Sequence, residues 1–276
     1  MRVPSSLFLG LATSLILLGA CQANPGTGPR PTGPGTSNQV ITLQADTLTA
    51  ELSGASETPA VASQAHGYGI FQLNQAKDTL IARVYVAGLS GPITGAHLHL
   101  GLAGKSGEVV EPLAVTGNVL TGTWKRSDAE QPLSEARVKS LLNGELYVNV
   151  HTEKFPGGEI RGQLTPSSDT IYPVHLIGSE SVPPLDTTAS GVAWVRVKAD
   201  RSELSLKGWT YGLSGPANAA HLHKGAKGST GEVLKDVEIS GTSLNLSWKQ
   251  SDSPAPLTPG VLDLLSKGEL YLNVHT

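Results

Sequence analysis

Six of the eight histidines fall into two copies of one pattern, His97-Leu98-His99 with a later Val150-His151-Thr152, and His221-Leu222-His223 with a later Val274-His275-Thr276. On a strand, residues two apart project from the same face, about 6.5 Å apart along it, so both imidazoles of a His-x-His can lean onto one ion. If the strand bearing His151 lies beside the one bearing His97 and His99, three imidazoles converge, and the same holds for His221, His223 and His275. Three neutral nitrogens suit a transition metal ion, copper or zinc first, and leave at least one coordination position open. The competing reading is that these rings only hydrogen-bond neighbouring carbonyls or pair across strands. Glu57, Glu108 and Glu159, with Glu180 and Glu232 taken as copy-two counterparts, are candidates for a fourth ligand or for holding a histidine N–H.

The elements that must carry these residues read as strands. Residues 79–86 and 145–151 alternate with period two and are rich in strand formers, with Leu98, Leu146, Val148 and Val150 directed inward and the histidines outward. One short helix is expected, with Ser134 as N-cap, Val138, Leu141 and Leu142 on one face, and Gly144 beyond its end. Its counterpart starts at Thr258-Pro259 and stops at Gly268. Trp124 and Trp248 stand at equivalent places and read as core. Thirty-two Gly and eighteen Pro against three Phe and one Met favour many short elements and an all-β class.

An offset of 124 residues organises everything after residue 40. Gly88-Leu89-Ser90-Gly91-Pro92 returns as Gly212-Leu213-Ser214-Gly215-Pro216, Trp124 as Trp248, and Gly144-Glu145-Leu146-Tyr147 as Gly268-Glu269-Leu270-Tyr271. A period this long is a whole domain, so two beads are expected, residues 41–166 and 167–276, joined near a turn-rich stretch at 165–169. Copy two stops at Thr276, with nothing to match the segment from Gly158 to Leu164, so its last strand is expected to be missing. An open edge there would recruit a strand from a protein partner or a second molecule, or else the sequence is a shortened version of a longer chain.

Ahead of the repeats, Met1-Arg2 and an apolar run over 7–18 lead into Leu18-Gly19-Ala20-Cys21, which reads as a signal peptide over 1–20 rather than a spanning helix. The Leu-Gly-Ala-Cys run is similar to the lipobox of bacterial lipoproteins. That resemblance implies lipidation at Cys21, export, and membrane attachment in the cell envelope through the lipid. Cys21 is the only cysteine, so no intrachain disulfide or cysteine metal site is possible. Residues 21–40, rich in Pro, Gly and Thr, read as a flexible tether. A formal net charge of −3 gives no electrostatic reason to expect nucleic acid, and there is no phosphate loop, dinucleotide fingerprint or nucleophile elbow.

Each repeat resembles a CHRD domain, the chordin-type domain also found in bacterial envelope proteins. The resemblance is carried in copy one by Leu52-Ser53-Gly54-Ala55-Ser56-Glu57-Thr58-Pro59, Ala96-His97-Leu98-His99-Leu100-Gly101, Tyr147-Val148-Asn149-Val150-His151-Thr152 and Pro156-Gly157-Gly158-Glu159-Ile160-Arg161-Gly162-Gln163-Leu164. It implies a β-sandwich and, in the animal proteins, binding of secreted growth factors, with no established enzymatic activity. The His-x-His strand with a later Val-His strand is also similar to the copper ligands of Cu/Zn superoxide dismutases, themselves Greek-key sandwiches, although no bridging histidine, zinc loop or disulfide is present. The expectation is therefore two tandem Greek-key sandwiches, immunoglobulin-like or dismutase-like, acting as a non-catalytic metal-binding envelope module. The rivals are a copper redox enzyme and a structural or adhesive protein whose histidines bind nothing.

Overall fold

A computed structural model describes residues 6–10 and 46–276; Cys21 and the tether lie outside the described residues. A short strand, β1 (Ser6–Gly10), comes first. Copy one then runs β2 (Asp46–Ser53), β3 (His66–Leu73), β4 (Thr79–Ala87), β5 (Ile93–Leu100), β6 (Glu108–Pro112), β7 (Ala114–Thr116), β8 (Val119–Lys125), α1 (Glu135–Leu142), β9 (Leu146–Thr152), β10 (Ile160–Gln163) and β11 (Thr165–Ser167). Copy two repeats the order as β12 (Thr170–Ile177), β13 (Ser190–Val197), β14 (Glu203–Tyr211), β15 (Ala219–Lys224), β16 (Val233–Asp236), β17 (Glu238–Ser240), β18 (Ser243–Lys249), α2 (Pro259–Ser266) and β19 (Leu270–His275). The described residues are thus mostly antiparallel β with two short helices, as the composition indicates.

In copy one the order β6-β5-β9-β10-β2-β3-β4-β8-β7, with β11 also on β2, makes a nearly closed, barrel-like sheet. β10 is the stave that joins its two halves, pairing with β9 over four residues and meeting β2 at Arg161 opposite Ser53. Its Ile160 is fully buried and belongs to the same core as Leu48, Leu52, Phe71, Trp124, Leu141, Val148 and Val150, so closing the sheet also completes the core. Ser134 accepts a hydrogen bond from the Arg137 N–H at the start of α1, Gly144 follows it at φ 74°, and Val138 and Leu141 are its buried face. In α2 the cap is Thr258, with Leu262 and Leu265 inward.

Copy two forms two separate sheets, β12-β13-β14-β18-β17 and β1-β19-β15-β16. The place that β10 holds in copy one is taken by β1. Leu7 lies opposite Val274 and Phe8 opposite Asn273, the register in which Ile160 and Arg161 face Val150 and Asn149. The edge of β19 thus pairs with the chain's own N-terminal strand.

The two repeats also touch each other. Equivalent faces, β3 and β4 of copy one and β13 and β14 of copy two, pack on each other. Tyr68 stacks on Trp194 with ring centroids 4.1 Å apart, and His66 lies flat on Trp209 at 3.8 Å. The Tyr211 hydroxyl donates to the Gln64 carbonyl at 2.9 Å and sits 2.8 Å from His66 Nδ1, so its one proton is committed and Nδ1 must donate. Lys207 pairs with Glu51 across the same seam at 2.6 Å. The two histidines outside the repeated motifs, His66 and His175, both belong to this seam, where His175 meets Tyr85.

Candidate metal centres

β5 and β9, about fifty residues apart in the chain, are direct antiparallel neighbours, with Gly95 opposite His151, His97 opposite Asn149 and His99 opposite Tyr147. Directly opposed residues share a face of the sheet, so His97, His99, Tyr147, Asn149 and His151 stand together, while Ala96, Leu98, Val148 and Val150 fill the core behind them. Gly95 leaves room for two rings to lean together: a Cβ there would come within 3.2 Å of the His97 ring.

His97, His99 and His151 offer one ligand atom apiece, all within 4.8 Å of one another, and His221, His223 and His275 do the same. In copy one His97 Nδ1, His99 Nε2 and His151 Nε2 are buried and have no hydrogen-bond partner. The other nitrogens explain this. His99 Nδ1 lies 3.1 Å from the Gly107 carbonyl and His151 Nδ1 3.0 Å from the Pro156 carbonyl. A carbonyl only accepts, so each Nδ1 carries the proton and each Nε2 keeps its lone pair. Carbonyl hydrogen bonding and metal ligation are therefore not rivals here, because they use opposite nitrogens, the arrangement usual around ligating imidazoles. Burial holds the pKa values of His97 and His99 below the ordinary histidine range, with the His151 charge acting the same way, which favours the neutral, ligating form. The donor set fits a borderline ion such as zinc or copper.

Copy two has the same frame with different contacts. His223 Nδ1 is 3.0 Å from the Gly231 carbonyl and its Nε2 is buried without a partner. His275 Nε2 is 3.3 Å from His221 Nδ1 and 3.0 Å from the Asn273 amide nitrogen, and His221 Nε2 is 3.6 Å from Asp236. Burial lowers the pKa of His223 and His275 as well.

A model of the CHRD domain matches this sequence twice, over residues 48–164 and 172–276. The chain belongs to the CHRD-domain family. It is similar to Chordin of Xenopus laevis, 29% identical over 267 residues that make up 88% of this chain and 27% of that protein. Chordin of Danio rerio is 30% identical over 247 residues, 84% of this chain and 25% of its own length. The chain thus spans about a quarter of these relatives.

Within the CHRD frame, a tyrosine and a glycine outside each trio help to build the site. The Tyr147 ring stacks on His99 at 4.7 Å, carries the Arg161 guanidinium 3.4 Å from its centroid, and its hydroxyl accepts from the Gly107 N–H at 3.1 Å. Tyr271 repeats the stack on His223 and the bond from Gly231. One glycine therefore anchors both members of each stack, through its carbonyl and its N–H. The alternation that puts His151 outward puts Tyr147 and Asn149 outward too, so their place on this face is legible in the sequence; the glycine's role is not, because it depends on a loop folding back.

Of the acidic candidates, none joins either trio. Glu108 and Glu232 are exposed. Glu159 is fully buried and spent elsewhere: its oxygens accept from the hydroxyls of Ser63, Ser90 and Thr152, each at 2.7 Å, and from the Ser90 N–H at 2.9 Å. This gives the Ser90 loop a purpose as a hydrogen-bonded turn. Glu57 and Glu180 are not counterparts. Both copies have a 3-10 turn here, and Glu57 closes the first as Ser181 closes the second, while Glu180 corresponds to Ser56 and pairs with Lys227. The Glu57 carboxyl is buried, and desolvation pushes its pKa up to about 7, with the Arg161 charge and hydrogen bonds from Thr58 and Asn149 opposing the rise.

Proposed function

We propose that this CHRD-domain protein is a lipid-anchored module of the cell envelope that binds one transition metal ion, copper or zinc, in each domain and acts as a binding component rather than a catalyst. The observation that carries the reading is the set of buried nitrogens without partners at His97, His99 and His151, two of them oriented by carbonyls behind the ring. When bound, the ion would offer a coordination position to a small ligand or to a side chain of a protein partner. The fold makes the ligands rigid, since all three sit on two neighbouring strands rather than on loops.

Protein purified without a His-tag or chelator should carry about one ion per domain, and His97→Ala with His99→Ala should remove one of two equivalents. Elemental analysis checks this, and an unchanged stoichiometry would place the ions elsewhere. The same three-nitrogen set with a position to spare also suits copper redox chemistry, so superoxide turnover by copper-loaded protein would favour the enzymatic reading.

The anchoring part rests on Leu18-Gly19-Ala20-Cys21 at the end of the apolar run. No helix among the described residues is long and apolar enough to cross a membrane. Cys21→Ser should move the protein from the detergent-extracted membrane fraction into the soluble one, and retention in membranes would count against lipidation. The pairing of β1 with β19 supports the further reading that this edge accepts a strand; lipidation at Cys21 would follow removal of residues 1–20, β1 among them, so in the anchored protein that strand would come from a partner or a second copy.

A further inference from the structure

The two trios share ligands and backbone, yet the asparagine beside each behaves differently. Asn149 and Asn273 occupy equivalent positions on β9 and β19, opposite His97 and His221. In copy two the Asn273 amide nitrogen is 3.0 Å from His275 Nε2, so the amide covers a nitrogen the metal would need. In copy one the Asn149 amide nitrogen is turned the other way, 3.5 Å from Glu57 Oε2, and His151 Nε2 is left without a partner. Space for that orientation comes from Gly158, at φ 127°: a Cβ there would lie 2.4 Å from Asn149 Oδ1 and 2.6 Å from Glu57 Oε1. Copy two has Ser181 where copy one has Glu57, so no carboxylate stands at that position to draw the amide nitrogen back.

We propose that Glu57 is a positioning residue that holds the Asn149 amide off His151 and so keeps the copy-one trio ready for metal, whereas in copy two the Asn273 amide competes with the ion. The proposal rests on the metal reading above and adds a rank order to it: copy one fills first. Before copy two can ligate through His275 Nε2, the hydrogen bond from Asn273 must break, which leaves its amide to find another acceptor. A net hydrogen bond of the ordinary kind corresponds to about a fivefold difference in affinity.

The test uses the full chain in two single-site forms, His221→Ala with His223→Ala to leave copy one, and His97→Ala with His99→Ala to leave copy two. Zinc dissociation constants come from competition with a chromophoric chelator. Copy one should bind about fivefold more tightly, and Asn273→Ala should tighten copy two by about the same factor. Glu57→Ser should weaken copy one, and adding Asn149→Ala to it should restore the affinity, a rescue that a merely structural role for Glu57 would not give. Should Glu57→Ser fail to fold, Asn273→Ala decides, since it touches no buried carboxyl. Equal affinities in the two forms, or Asn273→Ala failing to strengthen copy two, would overturn the proposal while leaving the metal sites intact. Absence of zinc at both trios would instead overturn the metal reading itself.

Discussion

Glu159→Ala should destabilise copy one by about 2–4 kcal/mol, since the buried Thr152 hydroxyl loses its acceptor outright, at about 1–3 kcal/mol, and the less buried Ser63 and Ser90 donors lose charged hydrogen bonds. The stranded groups are the hydroxyls of Ser63, Ser90 and Thr152 and the Ser90 N–H, which come from three separate segments of copy one. Glu159 also directly precedes Ile160, so slackening it loosens the strand that joins the two halves of the sheet. Burial alone would raise the Glu159 pKa, but the hydrogen bonds from Thr152, Ser90 and Ser63 outweigh it and hold the carboxyl below its ordinary range. The sign follows from this: a depressed carboxyl contributes stability that is present above its unfolded-state value, about 4.3, and is lost as pH falls through the folded-state value. Glu57 acts in the opposite sense, since its raised pKa favours the fold below the unfolded value and loses that contribution as pH rises toward about 7. Denaturant melts of wild type and Glu159→Gln across pH should converge in acid as the wild-type carboxylate protonates. A constant gap down to the lowest pH would show that the ionised form is not what holds the three segments together.

If the copy-one trio holds an ion, Gly107→Ala should weaken that binding with little change elsewhere. A Cβ at Gly107 would sit 1.7 Å from the Leu100 carbonyl oxygen, a distance no packing tolerates, so the backbone must move. That movement takes the Gly107 carbonyl from His99 Nδ1 and its N–H from the Tyr147 hydroxyl, freeing both ring orientations at once. Loss of such an orienting partner typically lowers metal affinity by about 10–100-fold. Gly231→Ala should do the same in copy two, where the added Cβ would lie 1.5 Å from the Lys224 carbonyl oxygen. Gly157→Ala is the control, having open space at its Cβ and no unusual φ. Wild-type affinity in both Gly107→Ala and Gly231→Ala would show that the loop carbonyls do not hold the ligands.

Local features are legible in the residues themselves. Ser134 and Thr258 mark one end of each helix and Gly144 and Gly268 the other, because caps satisfy backbone groups within a turn of themselves. Trp124 and Trp248 are core, each donating its indole N–H to a nearby carbonyl, that of Gln131 and of Ala255. The equation of Glu57 with Glu180 fails because two acidic residues one place apart look equivalent until the turns that hold them are superposed. Glu159 reads as a possible ligand because a carboxylate in sequence carries no sign of the hydroxyls that will surround it.

By itself, then, the sequence determined the duplication, the β class, and the trio of histidines on outward strand faces, since period-two alternation is a property of the extended chain that needs no partner strand. Only the tertiary structure decided that β5 and β9 are neighbours, which nitrogen of each ring is left to bind, and that Tyr68, Trp194, His66 and Trp209 join the copies into one packed seam. It also placed Ser6–Gly10 against β19, in the position that β10 fills in copy one. These are pairings between segments far apart in the chain, and which surfaces meet is settled by burial and hydrogen-bond satisfaction over the whole fold rather than by any stretch of residues within it.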